Sequence, residues 1–304
     1  MRHLQSILAA FDLSAPSRHA ADRAAALARA SGATLTLAHA LVDTALDDLL
    51  RLIGNGDQAR SVIEADVRGR LHALAAQLGQ RHGLSVTEHL ATGHPVEELT
   101  RLAEAIDAGL VVTGTRGTGF FRGVVTGSTA ERLARRSARP VLMVRQTAHE
   151  PYQRVLVPVD FSAWTVPSIA LARQVAPSAE LVLLHAVQIP FEGRLRLAGV
   201  TDIQLADYRG TAIREAQGRL DQAAAAAGLD GRWIGIAASD RADPWMQIVR
   251  QELEQDCDLI VIGKHGRHVL EELLLGSTTR VVIAESSGDV LVSTHQDASP
   301  PPSA

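Results

Sequence analysis

Two stretches of the chain end an apolar run on the same pattern. Ile7-Leu8-Ala9-Ala10-Phe11-Asp12-Leu13-Ser14 is answered 148 residues later by Val155-Leu156-Val157-Pro158-Val159-Asp160-Phe161-Ser162. A carboxylate in that place, Asp12 or Asp160, can accept from a ribose hydroxyl or help to hold a metal ion. Further along, each copy carries a glycine-rich run: Gly114, Gly117 and Gly127 in the first, Gly263, Gly266 and Gly276 in the second. Glycines let backbone N–H groups approach a phosphate closely and adopt positive φ. Ser128-Thr129 and Ser277-Thr278 then open helical patterns, whose free N–H groups and dipole favour an anion. The set describes a phosphate-compatible cleft. Each part also has a plainer reading, the glycines as turns and the aspartates as helix caps.

The runs are neither a Walker A loop, since G-x-x-x-x-G-K-[ST] occurs nowhere, nor a G-x-G-x-x-G dinucleotide fingerprint. Strand and helix patterns alternate around them. Residues 4–10, 34–40, 84–90, 109–113 and 141–144 read as strands. Helices are expected over 17–30, over about 57–81 (with Val62, Leu71, Leu74 and Leu78 at helical spacing and Asp66 on the wrong face), from Pro95 and from Ser128. Leu35-Thr36-Leu37-Ala38-His39-Ala40 returns as Leu181-Val182-Leu183-Leu184-His185-Ala186, and Asp243-Pro244 mirrors His94-Pro95 as the start of a helix. The chain is therefore a repeat of itself. Its domains fall at 1–148 and 149–296, with a Ser- and Pro-rich tail, 297–304, expected to be disordered. Strands separated by helices give an α/β class with a doubly wound parallel sheet in each half. In such sheets ligands sit outside the strand carboxyl ends, where the strand order reverses. The first and fourth strands, which deliver the aspartate and the glycine loop, are the natural switch point.

Composition agrees with two globular domains. The chain has 304 residues, 46% apolar and 21% charged, with a formal net charge of −4. That balance excludes whole-chain disorder and argues against a nucleic-acid backbone binder. Aromatics at 3% argue against a base-stacking platform. The single cysteine, Cys257, excludes an internal disulfide and reads as a buried thiol in a reducing compartment. No apolar run approaches the ~20 residues of a membrane span, and the short apolar run at the N-terminus is no signal peptide. A cytoplasmic protein is the expectation.

The spacing Gly114-x2-Gly117-x9-Gly127-Ser128, repeated as Gly263-x2-Gly266-x9-Gly276-Ser277, resembles the G-2x-G-9x-G-[ST] signature of the universal stress protein family. The resemblance spans nearly the whole chain as two tandem domains. It implies flavodoxin-like domains of strand order 3-2-1-4-5, related by a pseudo-two-fold, and binding of ATP, with Mg as a possible companion. Carried over by position, Asp12 and Asp160 would face the ribose and phosphates. Ala40 and Ala186 would meet adenine through backbone atoms. Gly114, Gly117, Gly127, Gly263, Gly266 and Gly276 would shape the phosphate loops, and Ser128, Thr129, Ser277 and Thr278 would bind phosphate. The family's pairing through last strands implies contact between the two halves of one chain, with a homodimer as a further option.

The copies differ. Arg116 and Arg122 stand in the first loop; Lys264, His265, Arg267 and Glu271-Glu272 in the second. The glutamates would repel a triphosphate if they faced it. The last strand opens on Arg139-Pro140 in the first half but Gly288-Asp289 in the second, against the family's usual proline. His82, His89 and His94, and separately His265 and His268, fit no metal-ligand signature. His39 and His185 read as hydrogen-bonded core histidines, and the stretch 189–197 as a lid or a packed connector. The leading function is an ATP-binding regulatory or stress-response protein without dedicated catalysis. A slow ATPase and a scaffold that has lost one or both nucleotide sites are the alternatives.

Overall fold

The computed structural model describes residues 4–42, 56–115, 128–147, 149–189, 192–239, 242–264 and 275–294. They form two compact units, the first ending at Pro151 and the second beginning at Tyr152. The first unit contains strands β1 (Ser6–Ala10), β2 (Thr34–Leu41), β3 (Val86–Thr92), β4 (Leu110–Gly114) and β5 (Val141–Val144). Its helices are α1 (Ala15–Ser31), α2 (Gly56–His82), α3 (Pro95–Ala105) and α4 (Ser128–Arg136). The strands are parallel in the order β3-β2-β1-β4-β5, with Leu8 opposite Thr36 on one side and Val111 on the other. β1 is buried on both faces, so it reads as a continuous apolar run rather than an alternation.

Local sequence explains the helix limits. Ser14 accepts the Ser17 N–H at the start of α1, Pro16 fits its first turn, and Gly32 ends it at φ 72°. The buried face of α2 is Val67, Leu71, Leu74, Ala75 and Leu78, while Val62 is 64% exposed. The sequence pattern placed that face one turn too early. Val62 and Asp66 belong to the solvated start of the helix, where Asp66 pairs with Arg70 at 2.9 Å.

The second unit repeats the plan with β6 (Arg154–Pro158), β7 (Glu180–Ala186), β8 (Trp233–Ala238), β9 (Leu259–Gly263) and β10 (Asp289–Ser293). Its helices are α5 (Thr165–Val175), α6 (Glu192–Leu197), α7 (Asp202–Ala226), α8 (Pro244–Glu254) and α9 (Ser277–Glu285). The parallel order is β8-β7-β6-β9-β10. Asp243 stands at the N-cap of α8, yet its side chain makes no capping bond; Pro244 sets the first turn. Residues 192–197 of the expected lid or connector are helical, and Pro190 and Phe191 lie outside the described residues.

The missing proline before β10 has a replacement. Glu252 on α8, 1% exposed, accepts from the Gly288 N–H at 2.6 Å, the Ser287 N–H at 3.1 Å and the Ser286 hydroxyl at 2.7 Å. Asp289, fully buried, accepts from the Tyr152 hydroxyl at 2.6 Å. In the first unit Ala103 and Pro140 fill these places, and Ser137 bonds the Arg139 N–H and carbonyl across the turn. A carboxylate clip thus does for β10 what a rigid proline does for β5.

Candidate functional site

Because every strand of a unit is parallel, all strand carboxyl ends share one edge. In the first unit β1 and β4 lie side by side and deliver Asp12 and Gly114 there. Asp12 is half-buried and accepts the Ser14 N–H through Oδ1 at 3.1 Å. Its own N–H donates to the Ser17 hydroxyl at 3.3 Å, and that hydroxyl donates to the Ser14 carbonyl at 2.9 Å. Between them Leu13 takes φ 68°. The second unit repeats the turn: Asp160 accepts the Ser162 N–H at 3.0 Å around Phe161 at φ 58°. Positive φ is costly for a leucine or a phenylalanine, yet both turns adopt it. The aspartates are therefore not helix N-caps. Ser14 holds that place for α1 and Trp164 for α5, while each carboxylate braces the turn that presents it. The sequence signal for this turn was the repeated Asp-x-Ser.

Gly114 has a packing reason to be glycine. A Cβ there would stand 3.0 Å from the Pro16 carbonyl carbon and 3.2 Å from the Ser17 nitrogen, both backbone atoms of α1. Gly276 differs. It is buried at the N-cap of α9 with φ −56°, which any residue can adopt, so its conformation does not call for glycine. The loop it closes is clasped at the neck. The Gly276 N–H donates to the Lys264 carbonyl at 3.0 Å, and the Lys264 N–H to the Ser293 carbonyl at 3.0 Å. Thr279, unremarked in the sequence, is 3% exposed and donates to the Gly263 carbonyl at 2.8 Å, fixing α9 to the end of β9. Its first-unit counterpart is Ala130, which carries no such bond. Lys264 is the chain's single lysine and is buried where the first unit has Thr115.

Ala40 and Ala186 are half-buried at the ends of β2 and β7, on the same edge as the aspartates. The preceding histidines look inward: His39 Nδ1 lies 2.6 Å from the Phe11 carbonyl and His185 Nδ1 2.6 Å from the Val159 carbonyl. A carbonyl only accepts, so Nδ1 carries the proton in both. The Phe161 ring packs on His185 at 4.4 Å between centroids, and the Arg219 guanidinium lies 3.9 Å from the Phe161 centroid. His82 is engaged elsewhere, with Asp22 of α1 at 2.9 Å.

Thr129 and Ser277 are exposed at the first turns of α4 and α9, and Thr278 is half-buried. Ser128 begins α4, and Gly263 ends β9. Gly117, Gly127 and Gly266 lie outside the described residues, as do Arg116, Arg122, His265, Arg267, His268, Glu271 and Glu272. Each unit thus sets its aspartate, a strand-end glycine and the strand-end alanine on one edge, and in the second unit the Gly276 and Thr279 hydrogen bonds hold the start of α9 to the end of β9. Chemically the carboxylates on this edge can accept hydrogen bonds from hydroxyls, and the first turn of α9 can offer N–H donors to an anion.

Comparison with known proteins accords with this architecture. The family model described as "Universal stress protein family" matches residues 3–145 and again 151–294. A universal stress protein of Mycolicibacterium smegmatis is 28% identical over 301 residues, covering 94% of this chain and 96% of its own. One from Mycobacterium tuberculosis is 27% identical over 251 residues, covering 77% and 72%. Among solved structures, a universal stress protein from Archaeoglobus fulgidus shares the fold with a TM-score of 0.66 at 21% identity, covering 95% of this chain and 98% of that one. Two family matches in tandem, together spanning nearly all of the sequence, make this chain a member of the universal stress protein family.

Proposed function

We propose that each half binds an adenine nucleotide, ATP foremost, across its strand carboxyl ends, and that the protein acts as a nucleotide-responsive stress or regulatory protein rather than a dedicated enzyme. The reading rests on one duplicated observation. A carboxylate on a braced turn and a loop of G-2x-G-9x-G-S spacing leave neighbouring strands in both units, at the point where the strand order reverses. In this reading Asp12 and Asp160 take the ribose or a magnesium ion, and the backbone at Ala40 and Ala186 meets the base. Gly114, Gly117, Gly127, Gly263, Gly266 and Gly276 line the phosphates with Ser128, Thr129, Ser277 and Thr278.

Nucleotide would regulate by binding one conformation of the protein better than another. No described helix is long and apolar enough to cross a membrane, and one reduced, buried cysteine suits a cytoplasmic protein. The test is calorimetry with ATP on wild type, Gly127→Glu and Gly276→Glu, together with the nucleotide content of denatured protein. Two ATP per chain, falling to one with either substitution, is the expected result. No ATP bound would refute the reading. One ATP lost only with Gly127→Glu would confine it to the first half. Enzyme-dependent phosphate release that vanishes in Asp12→Ala plus Asp160→Ala would turn it into an ATPase.

A further inference from the structure

The two halves diverge at the edge opposite the aspartates. In the first, α1 runs to Ser31 and β2 starts at Thr34. In the second, α5 stops at Val175, and Ala176-Pro177-Ser178-Ala179 lead to β7. Pro177 enforces the stop, because the residue before a proline is pushed out of the helical region; Ala176 sits at φ −135°, ψ 67°. The next connection differs too. After a left-handed glycine and a leucine, Gly83-Leu84 or Gly228-Leu229, one residue leads to β3 but three, Asp230-Gly231-Arg232, lead to β8. Arg173 in the last turn of α5 ties the two connections together, donating to the Gly228 carbonyl at 2.7 Å.

These altered turns border an open cavity of about 360 Å³ in the second unit. That volume lies at the lower end of the range for small-molecule sites. Its base is formed by the buried Ala176, Ala179 and Leu181, and Leu229 and Trp233 complete the lining. Its rim is charged: Arg173 and Arg232 against Asp230. Among the described residues neither Arg232 nor Asp230 has an ion-pair partner within its unit. The cavity is therefore closed below by buried aliphatic residues and carries a net positive charge at its exposed rim. The lining residues that create it sit in turns whose length and course the first half does not share.

We propose that this cavity is a second ligand site, separate from the strand carboxyl ends, that takes a small carboxylic acid: the carboxylate at Arg232 and the body of the molecule beside Trp233. A guanidinium pairs a carboxylate through two parallel hydrogen bonds, which gives such a ligand orientation as well as affinity. An amine of the same shape would meet two cations and one anion and be disfavoured.

The probe is benzoate, titrated into the full-length protein, with benzylamine as the cationic control. The readout is the set of tryptophan indole N–H resonances, and Trp233→Phe identifies the relevant one among three. Benzoate should shift the Trp233 signal saturably and leave Trp164 and Trp245 in place, with saturating ATP making no difference. Arg232 is exposed, so Arg232→Gln keeps the fold; it should weaken benzoate about tenfold, the loss expected for a hydrogen bond to a charged group. Replacing Asp230-Gly231-Arg232 by a single serine, the first half's turn length, should abolish binding. The proposal is overturned by any of four results: no saturable shift, equal binding of benzylamine, competition by ATP, or unchanged affinity in both variants.

Discussion

Removing the Glu252 side chain should cost the second unit a large part of its stability. The carboxylate is 1% exposed and accepts from Gly288, Ser287 and Ser286 at the start of β10. In Glu252→Ala the Ser286 hydroxyl keeps a partner, because it also donates to the Gly288 carbonyl at 3.2 Å. The buried Gly288 N–H does not, while the Ser287 N–H belongs to an exposed residue and can turn to water. A buried donor left without an acceptor costs about 1–3 kcal/mol, and the vacated volume adds to that. The expected loss is about 2–4 kcal/mol, against a typical domain stability of about 5–15 kcal/mol. The chain has two units, so a single unfolding midpoint would be ambiguous. All three tryptophans, Trp164, Trp233 and Trp245, lie in the second unit. Urea unfolding followed by tryptophan emission therefore reports the affected unit, and far-ultraviolet dichroism reports both. Emission should move to lower urea while part of the dichroism transition stays in place. A loss below about 1 kcal/mol would show that the turn holds itself without the carboxylate.

Two further outcomes follow from packing. Gly114→Ala should destabilise the first unit by about 1–3 kcal/mol, since the added methyl meets the Pro16 backbone at 3.0 Å; thermal unfolding checks it, and a neutral result would mean α1 can move away. Cys257 is pushed up from 9.0 to about 12, chiefly by burial, with Arg154 opposing and Asp258, Glu252 and Asp256 adding to the rise. At pH 8 a colorimetric thiol reagent should leave it untouched until the unit unfolds. A group whose pKa is raised by folding contributes stability that is intact below its unfolded value. Stability should therefore decline as pH climbs from about 9 towards 12, and Cys257→Ala should flatten that decline.

The strands were readable because β1, β4, β6 and β9 are short apolar runs bounded by polar or glycine residues, and because each pattern occurs twice; their order came only with the family resemblance. The candidate site was readable as a spacing, since Asp12, Asp160 and the glycines recur at nearly constant offset. What escaped were features set by three-dimensional neighbours. Val67 is buried and Val62 exposed on the same helix, which periodicity alone does not reveal. Gly114 looked like a ligand glycine, yet its crowding comes from α1, nearly a hundred residues earlier. Glu252 carries no signal in the sequence, because its role depends on a turn 36 residues away whose donors it collects. Thr279 and the left-handed Leu13 and Phe161 are ordinary residue types in unusual places, and composition says nothing of place.

The strand order also fixes a timetable. β1 is made first but sits in the middle of its sheet, between β2, whose Thr36 follows Leu8 closely, and β4, whose Val111 arrives far later. As the chain emerges from the ribosome, one side of β1 can be paired early. The other stays open for roughly 5–20 s at typical synthesis rates of about 5–20 residues per second. The second unit waits longer still: Tyr152 at its start is joined to Asp289 near its end. Until that last strand is delivered, a fully apolar strand edge is exposed in the nascent chain, and it is during this interval that the protein would most need a chaperone.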